Sequence, residues 1–514
     1  EPIPGIEYEY QLMSQLAPNI PVEAINQLVM SDEGLISQNN RVVFIAIPES
    51  SKDSCPTKEE VVAMLKNMDN LDVTAYEDKV SDEPLMAQEP TGGSIVSETA
   101  NQIYGTTKLV LNNGVEVYLK PTDFKADEIL MEGTSVGGSS LYPDKDILDI
   151  TALNSVATLG GLGNFSQVDL QKVLAGKKVS VNANVGGRTE SINGSSSPKD
   201  FETMLQLTYL HFTAPRQDAD AFASYKIRRK SQLESAKANP LNSINDSLQV
   251  LLYGNHPRVF AMQPEHVDQI NYDKVMQMYN DRFSDAGDFK FFFVGNIDME
   301  TAKPLIAKYL GSLPSNGRKE TSRDTGMRWQ KGNRVNEYAK QLQTPQATIF
   351  MGYTGNVAYT LRNSILMSVL YQALDMDFTE QVREQEGGTY GVTCIGQLTK
   401  YPEEEEILQI VYQTDPTKRQ QLNALIDKIV AEMAQNGPSE VHLQKVKEYM
   451  QKQYTDNQKE NSYWLGNLDE YFDSGVDFTQ GFLDIVNNLT VRDVQQFAND
   501  LIKQGNKTTL ILTS

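Results

Sequence analysis

Histidine, cysteine and tryptophan are scarce in this 514-residue chain, which has four His, two Cys and two Trp. Scarce histidine limits metal chemistry first. None of His211, His256, His266 and His442 stands at metal-ligand spacing from another, whereas a helical zinc motif supplies two ligands about one turn apart. Cys55 and Cys394 are distant in sequence, so no CxxC pair and no disulfide framework exists. No apolar run approaches the roughly 18 residues that cross a bilayer. No Walker loop or dinucleotide fingerprint occurs. Positive charge is also short: 46 Lys and Arg face 68 Asp and Glu, a net charge of −22. That balance argues against nucleic acid and anionic membrane as partners. It leaves basic peptides, or solubility alone, as its meaning.

What the chain does contain is repetition. A short amphipathic helix followed by an apolar strand occurs three times: IPVEAINQLV with RVVFIAI ending at Ile47, INYDKVMQMYNDRF from Ile270 with FKFFFVG ending at Gly295, and LTVRDVQQFANDLI from Leu489 with KTTLILT ending at Thr513. Each strand is almost unbroken apolar sequence, as in a strand buried on both faces. Copies two and three follow long, related stretches, but copy one has only a short stretch before it. The expectation is that copy one is the tail of a preceding homologous domain, and that the chain starting at Glu1-Pro2 is a processed or cut product.

The two long stretches share one order of elements. In the first, KLVLNNGVEVYLKP (108–121) reads as a hairpin around Asn113-Gly114, a type I′ signal. Next come a strand in DEILMEGTSVG, a buried helix over 147–159, a strand pair from Val179 and Thr189, and a helix opened by Ser197-Pro198. In the second, ATIFMGYTG, LRNSILMSVLYQALD, TYGVTCIGQL, EEILQIVYQT and two long helices repeat that order. The predicted fold is α+β: two homologous domains, each a mainly antiparallel sheet with helices on one face, preceded by the end of a third. The expected boundaries are 1–50 for the tail, 51–106 for a linker region containing the acidic, Pro/Gly-rich 81–94, 107–313 for the first domain, 314–335 for a linker and 336–514 for the second domain.

Few residues promise chemistry. His211 lies on an apolar helix and reads as a core or edge residue, and His256 reads as a loop or cap. Glu265-His266 ends a window in which Met262 stands where an HxxEH motif needs its first His. GGLGNFS (160–166) lacks a Lys and reads as a turn. Glu403 to Glu406 reads as a solvated hairpin. Triplets of the N-glycosylation type at Asn164, Asn193, Asn488 and Asn506 arise readily by chance. One segment stands apart: QVREQEGGTYGVTC sets Arg383 at a helix end and Tyr390 at a strand start, with Gly387-Gly388 as the break. Such a pair can orient a peptide and donate to a developing oxyanion. The alternative is a helix-capping Arg and an aromatic packed at a sheet edge.

With LNNGVEVYLKP (111–121), the doubled α+β order, the closing helix–strand tails and VREQEGGTYGV (382–392), the chain resembles the pitrilysin/insulinase-type, or inverzincin, zinc metallopeptidases. The resemblance implies four homologous domains in two halves that close like a clamshell. The N-terminal half of such proteins carries HxxEH, whose two His bind zinc and whose Glu activates water. The C-terminal half closes the chamber and contributes an Arg and a Tyr spaced like Arg383 and Tyr390. This chain matches the C-terminal half. Where HxxEH would fall it reads TALNS (151–155), and Lys172 and Val179 stand where the first body would hold an Arg/Tyr pair.

The resemblance therefore implies catalytic contributions from Arg383 and Tyr390, no metal bound by this chain, and zinc in the complete enzyme. The implied partners are the N-terminal half of the same protease, or a separate zinc-bearing subunit, and extended peptide substrates, with no nucleic acid and no membrane span. A periplasmic or other extracytoplasmic location is favoured. The rival reading is a catalytically inactive peptide-binding or scaffold subunit of the same family.

Overall fold

The computed structural model describes all residues except 1–3, 32–40, 48, 69–70, 73, 75–82, 87, 239–241 and 342–343. Its contacts divide the chain into two units, 1–79 and 80–514. In the first unit, helices span Ile6–Leu16, Val22–Met30 and Lys58–Asn67. Thr57 and Glu60 form a reciprocal capping box at the start of the third helix. The helix expected in copy one of the tail is therefore present, but among the described residues its strand is not: residues 42–47 are not part of a strand and are exposed. A strand forms only where a neighbour takes its backbone groups, and none does so there among the described residues. The stretch 81–94, expected as a linker, lies partly outside the described residues.

Among its described residues the second unit holds twelve strands in two sheets. The first sheet is built from β1 (Ile95–Ala100), β2 (Thr107–Leu111), β3 (Glu116–Pro121), β4 (Ile129–Val136), β5 (Val179–Val185), β6 (Thr189–Ser196) and β7 (Lys290–Gly295). The second is built from β8 (Asn333–Ala339), β9 (Ala347–Asn356), β10 (Val392–Thr399), β11 (Glu405–Thr414) and β12 (Asn506–Thr513). The first is ordered β1-β2-β3-β7-β4-β6-β5, and the second, read from its other edge, β8-β12-β9-β11-β10. Five strands thus follow one plan in both. In each, the strand of the helix–strand tail is inserted between a parallel and an antiparallel neighbour: β7 between β3 and β4, and β12 between β8 and β9. The tail helices Tyr272–Phe283 and Val491–Lys503 carry polar caps, Asn271 and Thr490.

The hairpin β2–β3 forms as expected, but its turn is not type I′. That turn needs a positive φ at both central residues, and only Gly114 has one, at 91°. Asn113 is otherwise engaged: its amide donates to the carbonyls of Leu310 at 2.8 Å and Leu313 at 3.0 Å.

Each sheet buries one face under helices that follow its own strands in the chain. The apolar character of β7 and β12 on both faces has a further consequence. Helix Asn461–Ser474 lays Trp464, Leu465, Leu468 and Phe472 on Tyr118, Phe292 and Val294, on the far face of the first sheet. Helix Asn242–Tyr253 and Trp329 lie on Phe350, Leu510 and Tyr338 on the far face of the second. The two sheets thus exchange helices, each covering the other's second face. The stretch 314–335, expected as a linker, is tied down: Glu320 pairs with the buried Arg282 at 2.8 Å, the Arg323 N–H donates to Ser140 Oγ at 2.9 Å, and the Gln330 N–H donates to the Leu252 carbonyl at 2.6 Å.

Candidate functional site at the head of the second sheet

Helix Leu361–Phe378 buries Ile365, Leu366, Val369, Leu370, Ala373, Leu374 and Phe378 under the second sheet. It does not simply end. It widens into a π-helical segment, Thr379–Gln385, in which only Val382 is buried. π turns are rare and are frequent at functional sites. The Arg383 carbonyl accepts from the backbone N–H groups of Glu386 and Gly387, which stops the helix. Gly387 takes φ 56°, and a Cβ on Gly388 would stand 2.7 Å from Leu422, so the Gly-Gly break predicted from sequence has steric causes. Thr414 Oγ1 donates to the Gly388 carbonyl at 2.6 Å, and β10 begins four residues later at Val392.

Within this loop Tyr390 is 101% exposed. It lines an open cleft of about 850 Å³ with Pro345, Gln346, Thr393, Val411 and Gln413. Arg383 is exposed on the π segment and does not line the cleft. Among the described residues its guanidinium makes no ion pair, and the helix-end carbonyl is satisfied by backbone instead. Tyr390 packs on nothing at the sheet edge. The capping Arg and edge aromatic of the alternative reading are therefore not what the geometry offers. The far face of β10 and β11 also lies open, with Ile395 52% and Val411 37% exposed.

In the first sheet's half, residues 151–155 lie on helix Ile147–Val156. Thr151 Oγ1 donates to the Ile147 carbonyl. Asn154 clamps the backbone of Val185 in β5, donating to its carbonyl at 3.1 Å and accepting from its N–H at 2.8 Å. This turn is structural. Lys172 lies on helix Gln167–Val173, and Val179 opens β5.

The residues present do not fit a zinc ion. Among the described residues no group of three or more His, Cys, Asp and Glu side chains could hold a metal. His211 is buried against the Tyr279 hydroxyl at 2.9 Å, and burial pushes its pKa down to about 4. His256 Nε2 lies 2.9 Å from the Thr325 carbonyl, and His266 Nδ1 accepts the Gln263 N–H at 3.1 Å. His442 is buried between Asp377 and Glu380. Burial raises the Cys394 thiol pKa far above its usual value.

The expectation of a solvated Glu403–Glu406 hairpin is corrected at its last residue. Glu406 is 1% exposed, and its carboxyl is pushed up to about 8, by burial first and by Asp500 second. Strand alternation is the reason: Glu406 shares the core-facing phase of β11 with Leu408, Ile410 and Tyr412. Sequence reading also missed Glu190, the register equivalent of Glu406 in the first sheet. Each is the second residue of its strand and stands opposite the next-to-last residue of the neighbouring strand, Ser135 or Gly355. Burial pushes Glu190 up to about 7.

Comparison with known proteins supports the resemblance read from the motifs. Residues 269–450 match the model of the peptidase M16 inactive domain. That stretch is similar to the inactive domain of the M16 peptidases. The family read from its motifs is the one found. A protein of Arabidopsis thaliana described as "Zinc protease PQQL-like" is 26% identical over 317 residues, covering 61% of this chain and 30% of that protein. The crystal structure of the periplasmic protease PqqL from Escherichia coli superposes with a TM-score of 0.73 at 18% identity, covering 99% of this chain and 56% of that one. The structure of the first half of the same protease superposes at 0.63 and 15% identity, covering 82% and 93%. These structural likenesses establish the α+β fold. The chain spans about a third of the length of the curated relatives it matches.

Proposed function

We propose that this chain is the non-catalytic half of a zinc endopeptidase. It closes a chamber over an extended peptide and lends Arg383 and Tyr390 to a zinc site held by an N-terminal half. The observation that carries the reading is the fully exposed Tyr390 at the cleft beside β10, on a loop that leaves the π segment exposing Arg383. A peptide lying beside β10, the edge strand of its sheet, would gain main-chain hydrogen bonds by strand addition. The Tyr390 hydroxyl then donates to the oxyanion that develops at the scissile carbonyl, and the Arg383 guanidinium orients the peptide backbone. Zinc, when bound by the other half, supplies the activated water.

The exposure of 20–28 and 41–47 supports an intimate partner. Ile25 and Leu28 are 51% and 65% exposed, whereas Val275 and Met278, their counterparts in copy two, are 0% and 4% exposed. Phe44 is 87% exposed and its counterpart Phe292 is 0% exposed. In this reading the tail completes a third sheet of the same plan, in the N-terminal half. An extracytoplasmic location follows from the same reading, as for a periplasmic protease of this fold.

The test joins this chain to its zinc-bearing half and measures peptide cleavage. Tyr390→Phe lowers kcat by roughly 10²–10³, the cost of one oxyanion donor. Arg383→Ala raises KM, and neither variant shifts Tm. Wild-type kcat in Tyr390→Phe overturns the reading. Peptide binding without cleavage in every combination points to the scaffold instead.

A further inference from the structure

The α-to-π junction before Arg383 has a side chain bolted across it. His442 belongs to helix Glu440–Asn457, and its own backbone N–H is fixed by the Ser439 cap at 3.0 Å. Its ring is buried. Nε2 is hydrogen-bonded to Glu380 Oε1 at 3.1 Å, in the first π turn, and Nδ1 stands 3.1 Å from Asp377 Oδ1, in the last α turn, a close contact without hydrogen-bond geometry. We propose that His442 is a positioning residue: by holding Asp377 and Glu380 together it fixes the junction and so sets where the Arg383–Tyr390 loop is presented. The inference rests on the proposed role of that loop.

Nothing in the local sequence forces a π segment here, since 379–385 contains no Gly or Pro. What the junction contains is like charge. Asp377 and Glu380 are three residues apart on one helical face, a spacing at which carboxylates repel. Burial, Glu380 and Glu432 raise the Asp377 carboxyl, and His442 opposes them. The imidazole is the group that lets both acids sit at the junction. Beyond it, Val382 is the one buried side chain of the segment, and the next fixed point is the Gly388 carbonyl held by Thr414. The loop carrying Arg383 and Tyr390 therefore hangs between two anchors. One of them, His442, comes from a different helix and is not itself a lining residue of the cleft.

Amide exchange read by mass spectrometry on the full chain tests this without a partner or a substrate. His442→Ala accelerates exchange across 379–391 by about tenfold or more, while β9 and β12 keep their wild-type protection, because local opening is independent of the global core. His442→Gln retains a donor toward Glu380 and restores protection to within about threefold of wild type, as expected when one hydrogen bond is kept. Unchanged exchange in 379–391 for His442→Ala, acceleration spread evenly over the second sheet, or failure of His442→Gln to restore protection overturns the proposal. If His442→Ala does not fold, Glu380→Gln on the half-exposed side of the junction gives an intermediate acceleration confined to the same segment, and its absence is equally decisive. None of these outcomes depends on catalysis. A loop shown by Tyr390→Phe to be idle would remove the function and leave the anchor.

Discussion

Replacing Glu406 by Gln gives a sharp physical test, because its two oxygens sit in the core of the second sheet with no cation to meet them. Glu406 Oε2 has no hydrogen-bond partner, and the charge that acts on the carboxyl is the like charge of Asp500. The matched residue Glu190 differs: Gly138 donates its N–H at 2.7 Å, and the Arg282 guanidinium stands 4.0 Å away. Helix Val491–Lys503 places Leu501 where helix Tyr272–Phe283 places Arg282, so the second sheet keeps the acid without its cation.

The Glu406 carboxyl is pushed from 4.5 to about 8. Between those values the folded chain holds a proton that the unfolded chain has released, so stability falls as pH rises through this window. The full effect, reached above pH 8, is on the order of 3–5 kcal/mol. Glu406→Gln carries no titration. It should match wild type near pH 4.5 and exceed it increasingly toward pH 9. Amide exchange of β9 and β11 reports the local free energy, and wild type and variant are compared at both pH values. Glu132, Glu190 and Asp469 are raised in the same direction, but they are common to both proteins and cancel in the difference. A stability difference that is the same at pH 5 and pH 8.5 would refute the reasoning.

Arg282 is 2% exposed and faces Glu190, Asp281 and Glu320. Arg282→Met leaves the buried Glu190 and the partly buried Glu320 without their cation and should cost about 3–5 kcal/mol in chemical denaturation; a loss under about 1 kcal/mol would mean the site relaxes or fills with water. Leu468, fully buried on Tyr118, Phe292 and Val294, anchors the helix that covers the first sheet, so Leu468→Ala should cost about 2–5 kcal/mol and raise exchange in β3 and β7. Unaltered protection there would show that the exchanged helix is not what seals that face.

Much of this protein was legible in its residues. Alternation at period two and at 3.6 located the strands and helices of both repeats, because those periods follow from backbone geometry alone. Caps and glycines marked their ends for equally local reasons, as at Asn271, Thr490 and Gly387-Gly388. The unbroken apolar runs of β7 and β12 showed that both faces are covered. What covers them could not be read, because Asn461–Ser474 and Asn242–Tyr253 each pack on the sheet built by the other repeat, and long-range pairing leaves no trace in local periodicity. The same limit hid the fate of the ionisable groups. Glu406 looked solvated beside Glu403, Glu404 and Glu405, and only the strand's phase against Leu408 and Ile410, fixed by sheet register, turned it into the core. Sequence placed Arg383 at a helix end and Tyr390 at a strand start, seven residues on and across a Gly-Gly break. Tertiary structure alone decided that the loop leaves a π turn held by His442, that Tyr390 stands free of all packing, and that Asn154, where a metallopeptidase would need its general base, spends both polar atoms on the Val185 backbone.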